Sequence, residues 1–76
     1  MELTVICDIL ADILDIEPGE IGPMSKLSDL GLDEMDRMEL EMALEETYDK
    51  EMPDGALNRM ATVGDVVTYV QQWLKK

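Results

Sequence analysis

Three stretches of this chain repeat apolar residues at spacings of three and four, a period that commits each of them to an amphipathic helix. The first runs from Leu3 to Ile16, where Leu3, Ile6, Cys7, Leu10, Ile13 and Leu14 are separated by Asp8, Asp12 and Asp15. The second starts at Asp33 and runs to about Tyr48. The last carries Val63, Val66, Val67, Val70, Trp73 and Leu74 on one side. Its β-branched valines would suit a strand, but they do not alternate. Lys75 and Lys76 close it, where a helix dipole favours positive charge. A 76-residue chain forms one domain, residues 1–76, and buries only roughly 60–65% of the surface its unfolded form exposes. The expectation is an all-α, four-helix bundle of three longer helices and one short one, with too little material to wall a catalytic cleft.

The breaks between these stretches are equally legible. Asp33 with Asp36, and Thr62 with Asp65, place a side-chain acceptor and an acid three residues apart, the signature of a capped helix start. Residues 17–32 hold two prolines, three glycines and two serines and read as a long loop. Ile21, Met24, Leu27, Leu30 and Leu32 are expected to tie that loop onto the core. Pro53, Asp54 and Gly55 break the chain again, and Ala56 to Met60 leaves room for a short third helix.

Charge and composition remove whole classes of chemistry. Six basic residues stand against 18 acidic ones, a net charge of -12, which repels a phosphate backbone and favours basic patches on other proteins. Nucleic acid is therefore not an expected partner, and the charge also favours a soluble monomer. The chain has no histidine and one cysteine, so imidazole bases, internal disulfides and Cys/His zinc sites are excluded. Cys7 lies on the apolar side of the first helix and reads as a core residue. No stretch is apolar enough to insert in a membrane, and Glu2 stands where a signal peptide would want positive charge. The expected location is cytoplasmic.

The residues Asp29-Leu30-Gly31-Leu32-Asp33-Glu34-Met35-Asp36 resemble the acyl carrier protein signature Asp-Leu-Gly-x-Asp-Ser-Leu-Asp, in which the serine receives 4'-phosphopantetheine. The resemblance extends along the chain. Leu40, Leu44-Glu45-Glu46 and Tyr48 match the family's second helix, Glu51-Met52-Pro53-Asp54 its turn before the short third helix, and Thr62-Val63 with Tyr69-Val70 its last helix. Upstream, Leu14-Asp15-Ile16, Ile21 and Ser25-Lys26-Leu27 fit the family's loop. The resemblance implies the carrier fold, a noncatalytic role in fatty-acid, polyketide or related acyl-transfer metabolism, and docking to basic surface patches of synthases or acyl-transfer enzymes.

At the position of the family's serine this chain has Glu34, flanked by Asp33, Met35 and Asp36. A carboxylate does not supply the hydroxyl oxygen of a phosphodiester, so no phosphopantetheine cofactor is expected here. The plain reading of Glu34 is an acid favoured in the first turn of a helix by about 0.3–1 kcal/mol. A sharper one makes its charge a mimic of the missing phosphate. The alternative is a working carrier whose native serine was mutated at position 34, or which is modified elsewhere, with Ser25 and Ser28 the only serines.

Docking is expected through Met35, Glu39, Glu41, Met42, Glu45 and Glu46, with Met38 mostly buried and Leu40, Leu44 and Tyr48 facing the core. Arg37 and Glu41 fall where many relatives carry neutral or apolar residues. The acids do not have the spacing of a calcium loop, so no metal site is expected. An acid/base pair of Asp33 and Glu34 is not supported either, because adjacent helical residues point in different directions.

Overall fold

A computed structural model describes residues 2–75. Among them three α-helices form: α1 (Glu2–Leu14), α2 (Glu34–Tyr48) and α3 (Val63–Leu74), with a single 3₁₀ turn at Pro18–Glu20. The all-α expectation holds. Helix α1 is the hub, packing against both α2 and α3, whereas the backbones of α2 and α3 do not approach each other closely. The loop and the segment between α2 and α3 fill that gap. The fully buried side chains come from every part: Ile6 and Leu10 from α1, Leu40 and Leu44 from α2, Val63, Val66 and Val70 from α3, Leu27 from the loop, and Leu57 from the connecting segment.

The helix starts follow from their capping residues. Asp36 N–H donates to Asp33 Oδ1 at 2.8 Å, and Asp33 N–H returns to Asp36 Oδ2 at 3.3 Å. At α3, Asp65 N–H donates to Thr62 Oγ1, while Asp65 Oδ2 accepts from the Thr62 and Ala61 N–H groups, each at 3.1 Å. Those two backbone donors hold the Asp65 carboxyl below the usual carboxylate range. Helices α1 and α2 both stop on an aspartate in the left-handed region, Asp15 at φ 57° and Asp49 at φ 51°. There Ile16 N–H reaches Ala11 O and Lys50 N–H reaches Glu45 O, each at 3.1 Å, which closes the last turns.

The long loop is pinned by backbone pairing as well as by apolar contacts. Leu27 N–H donates to Ala61 O and Val63 N–H to Ser25 O, each at 2.9 Å, and Gly64 N–H to Pro23 O at 2.8 Å. The first N–H groups of α3, which have no acceptor within the helix, thus find loop carbonyls. A Cβ at residue 64 would stand 2.9 Å from the Pro23 carbonyl oxygen, so glycine is what permits this approach. Ile21, Leu27 and Leu32 are buried as expected, and Leu30 packs against the core. Met24 does not: it is 86% exposed, because the turn at residues 22–25 carries it away from the bundle.

The expected short helix at Ala56 to Met60 is replaced by successive four-residue turns, with Ala56, Asn58 and Met60 N–H donating to Pro53, Gly55 and Leu57 O. Gly55 adopts φ 75°, which interrupts any regular helix there. At the far end of the bundle, the Tyr48 and Trp73 rings meet edge-on with centroids 6.0 Å apart. Trp73 Nε1 donates to Glu51 O at 2.8 Å, and the Lys50 ammonium lies 5.9 Å from the indole centroid. Lys75 caps α3; the companion expectation for Lys76 lies outside the described residues.

Candidate functional site

Helix α2 carries a mean hydropathy too low for a purely core-facing element, and its faces divide the work. At about 100° per residue, Leu40, Leu44 and Tyr48 form one stripe and Met35, Met38 and Met42 another. Between them lies a third stripe, Arg37, Glu41 and Glu45. The first stripe enters the core. The methionines face out, Met35 at 70%, Met38 at 52% and Met42 at 62% exposure. The expectation of a mostly buried Met38 is corrected: the core facing α2 is already filled by Leu40 and Leu44, both fully buried.

The third stripe grips the segment that follows. Glu41 is only 6% exposed, and its carboxylate accepts from Gly55 N–H at 3.3 Å and Leu57 N–H at 3.1 Å. Arg37 donates to Leu57 O at 2.7 Å, Met60 O at 2.8 Å and Asn58 O at 3.4 Å. Glu45, half-buried, accepts from Met52 N–H at 2.7 Å. Glu41 is therefore removed from the docking residues expected from sequence, because both of its oxygens are spent on backbone within the protein. Arg37 belongs to the same internal structure. Glu39 and Glu46 remain exposed.

Glu34 is the first residue of α2 and is solvent-exposed, directly after the Asp33 cap. It borders an open groove of about 450 Å³, whose other walls are Met38, Glu41, Met42 and Glu45 on α2 and Asp54, Gly55 and Asn58 opposite. A second hollow of about 390 Å³, lined by Leu32, Asp33, Glu34, Arg37 and Asn58, adjoins it. The side chain at this position ends in a carboxylate and offers no hydroxyl. Of the two serines, the Ser25 hydroxyl accepts from Gly22 N–H at 2.9 Å inside the loop turn, and Ser28 is exposed.

Elsewhere the surroundings argue against chemistry. The Cys7 thiol is buried, donates to Ile21 O at 3.7 Å, and is pushed up in pKa by burial and then by Asp8, so it is a poor nucleophile. Among the described residues no group of three or more Cys, Asp or Glu side chains could hold a metal ion, and no helix is long and apolar enough to cross a membrane.

Three of the four exposed large apolar side chains, Met35, Met38 and Met42, thus lie on α2, the helix that starts at the Asp33 cap and Glu34. The chain belongs to the phosphopantetheine attachment site family, whose profile matches residues 4–70. It is 44% identical over 70 residues to an acyl carrier protein of Prochlorococcus marinus (strain MIT 9515), a match covering 91% of this chain and 88% of that one. Its fold is similar to the crystal structure of a free-standing peptidyl carrier protein from a secondary metabolic pathway of Acinetobacter baumannii, with a TM-score of 0.83 at 24% identity. That likeness covers 95% of this chain and 90% of the other. The chain is thus a member of the acyl carrier protein family and not an enzyme. The sequence reading missed the internal grip of Arg37, Glu41 and Glu45; its one visible signal was their spacing of four residues, which puts all three on one stripe.

Proposed function

We propose that this protein docks to synthases or acyl-transfer enzymes of fatty-acid, polyketide or related metabolism without itself carrying 4'-phosphopantetheine. The observation that carries this reading is Glu34, an exposed carboxylate at the head of α2 where the family resemblance puts the modified serine. With no hydroxyl oxygen to esterify, the phosphodiester of the prosthetic group has no attachment point there, and Glu34 itself keeps a negative charge at the helix N-terminus. The docking part is supported by the exposed methionines Met35, Met38 and Met42 beside Glu39 and Glu46. Apolar side chains supply affinity, while the surrounding acids steer basic patches of a partner into register. In this reading the protein works as a cytoplasmic monomer, by competing for carrier-binding surfaces or by scaffolding.

Incubation with coenzyme A and a phosphopantetheinyl transferase tests both halves. Intact-mass spectrometry is expected to show no added arm on the natural chain and one arm on Glu34→Ser. The natural chain is further expected to inhibit loading of the Glu34→Ser protein competitively. An arm on the natural chain, mapped to Ser25, Ser28 or any other residue, would refute the noncarrier reading; absence of inhibition at any concentration would refute docking.

A further inference from the structure

Segment 52–60 is not held by a helix of its own. Its backbone groups are taken up instead by a ladder of three side chains on α2, running antiparallel to it: Arg37 at residues 57–60, Glu41 at 55–57 and Glu45 at 52. The signs match the task, since the guanidinium meets carbonyl oxygens and the two carboxylates meet N–H groups. Leu57 is held at both ends, its N–H by Glu41 and its carbonyl by Arg37. The competing helix is blocked at its C-terminal side as well, because Ala61 N–H, which would have to donate to the Leu57 carbonyl, donates to Asp65 Oδ2.

This same segment supplies Asp54, Gly55 and Asn58, the wall of the groove that faces Met38, Met42 and residue 34. The segment is tied at its ends, by Trp73 to Glu51 O and by Leu27 to Ala61 O, and touches the core through Met52, Ala56, Leu57 and Met60; between those points the α2 side chains set its distance from the methionines. We propose that Arg37, Glu41 and Glu45 are positioning residues for partner recognition: through their bonds to the backbone of segment 52–60 they fix the width of the groove beside residue 34. This rests on the docking reading above and divides the acidic run of α2 in two. Glu39 and Glu46 meet partners from outside; Glu41 and Glu45 act through segment 52–60.

The test uses Glu34→Ser as background, so that a phosphopantetheinyl transferase with coenzyme A reads access to residue 34. Two substitutions are added separately, Glu41→Gln, which turns one of two acceptors into a donor, and the milder Glu45→Gln. Amide hydrogen exchange at Gly55 and Leu57 is expected to speed up roughly tenfold in Glu41→Gln with the α1 amides unchanged, and Met52 to respond in Glu45→Gln. Loading is expected to show KM raised about threefold to tenfold with kcat nearly unchanged, since the acceptor hydroxyl is untouched. Met42→Lys, exposed and outside the ladder, serves as the docking control. If Met42→Lys raises KM and the ladder variants do not, the positioning role is overturned and docking stands. If exchange quickens in the ladder variants but no variant, Met42→Lys included, alters loading, the docking reading falls and the positioning role with it.

Discussion

Replacing Glu41 by alanine separates two acids that look alike in the sequence. Glu41 is 6% exposed and accepts from the Gly55 and Leu57 N–H groups, whereas Glu39, two residues earlier, is exposed. Truncation at 41 leaves two backbone donors without an acceptor, the one at Leu57 in the interior. A hydrogen bond to a charged acceptor contributes about 1.5–3 kcal/mol, and some of that is offset because a buried carboxylate no longer has to be desolvated. The net expected loss is about 2–3 kcal/mol. A domain of this size holds in total about 4–11 kcal/mol, at roughly 0.05–0.15 kcal/mol per residue, so the loss is a large fraction of it. With about 4–8 °C of Tm per kcal/mol for so small a domain, Glu41→Ala is expected to melt roughly 10–20 °C lower.

The assay is thermal and urea unfolding followed by circular dichroism at neutral pH, with Glu39→Ala in parallel. Both substitutions remove one negative charge from a chain of net charge -12, so the comparison is matched in net charge and the difference reports chiefly the internal contacts. Glu39→Ala is expected within about 0.5 kcal/mol of the natural chain. A Glu41→Ala protein within that same margin of Glu39→Ala would refute the inward role of the carboxylate.

Gly64→Ala brings a Cβ to 2.9 Å from the Pro23 carbonyl oxygen and disrupts the bond between that oxygen and the residue 64 N–H; a loss of about 1–2 kcal/mol is expected in urea unfolding, despite alanine's better helix propensity. Asp15→Gly is expected to stabilise by about 0.5–1.5 kcal/mol in the same assay, because glycine adopts φ 57° without strain and a carboxylate leaves the C-terminal end of α1. Asp65 has a carboxyl pKa lower in the folded chain than in the unfolded one, so its ionised form supports folding above the ordinary carboxylate value of about 3.9, and that support disappears as pH falls through the folded value. Acid titration of Asp65→Asn against the natural chain is therefore expected to show a stability gap at neutral pH that narrows below about pH 4.

The three helix positions, both capping boxes and most loop anchors could be read from residue spacing, because those features are local: a period of 3.6 residues and an acid three positions after a cap specify their own geometry. Glu34 at the head of α2 was equally visible, since a carboxylate has no hydroxyl wherever the chain folds. What spacing could not show is which of several polar stripes faces protein. Glu39 and Glu41 are both acids on one helix, and only the return of residues 52–60 along α2 buries one and leaves the other in water. The short helix expected at Ala56 to Met60 failed for the same reason. Local propensity allowed it, but Gly55 and the side chains of Arg37 and Glu41, from 14 to 23 positions away in sequence, claim the backbone groups that it would have used. Met24 went outward on the turn at residues 22–25, and Met38 because Leu40 and Leu44 had already filled the core facing α2. Helix identity is set by contacts among near neighbours; the partition of α2 into core, ladder and open face is set by contacts that exist only once the chain has closed on itself.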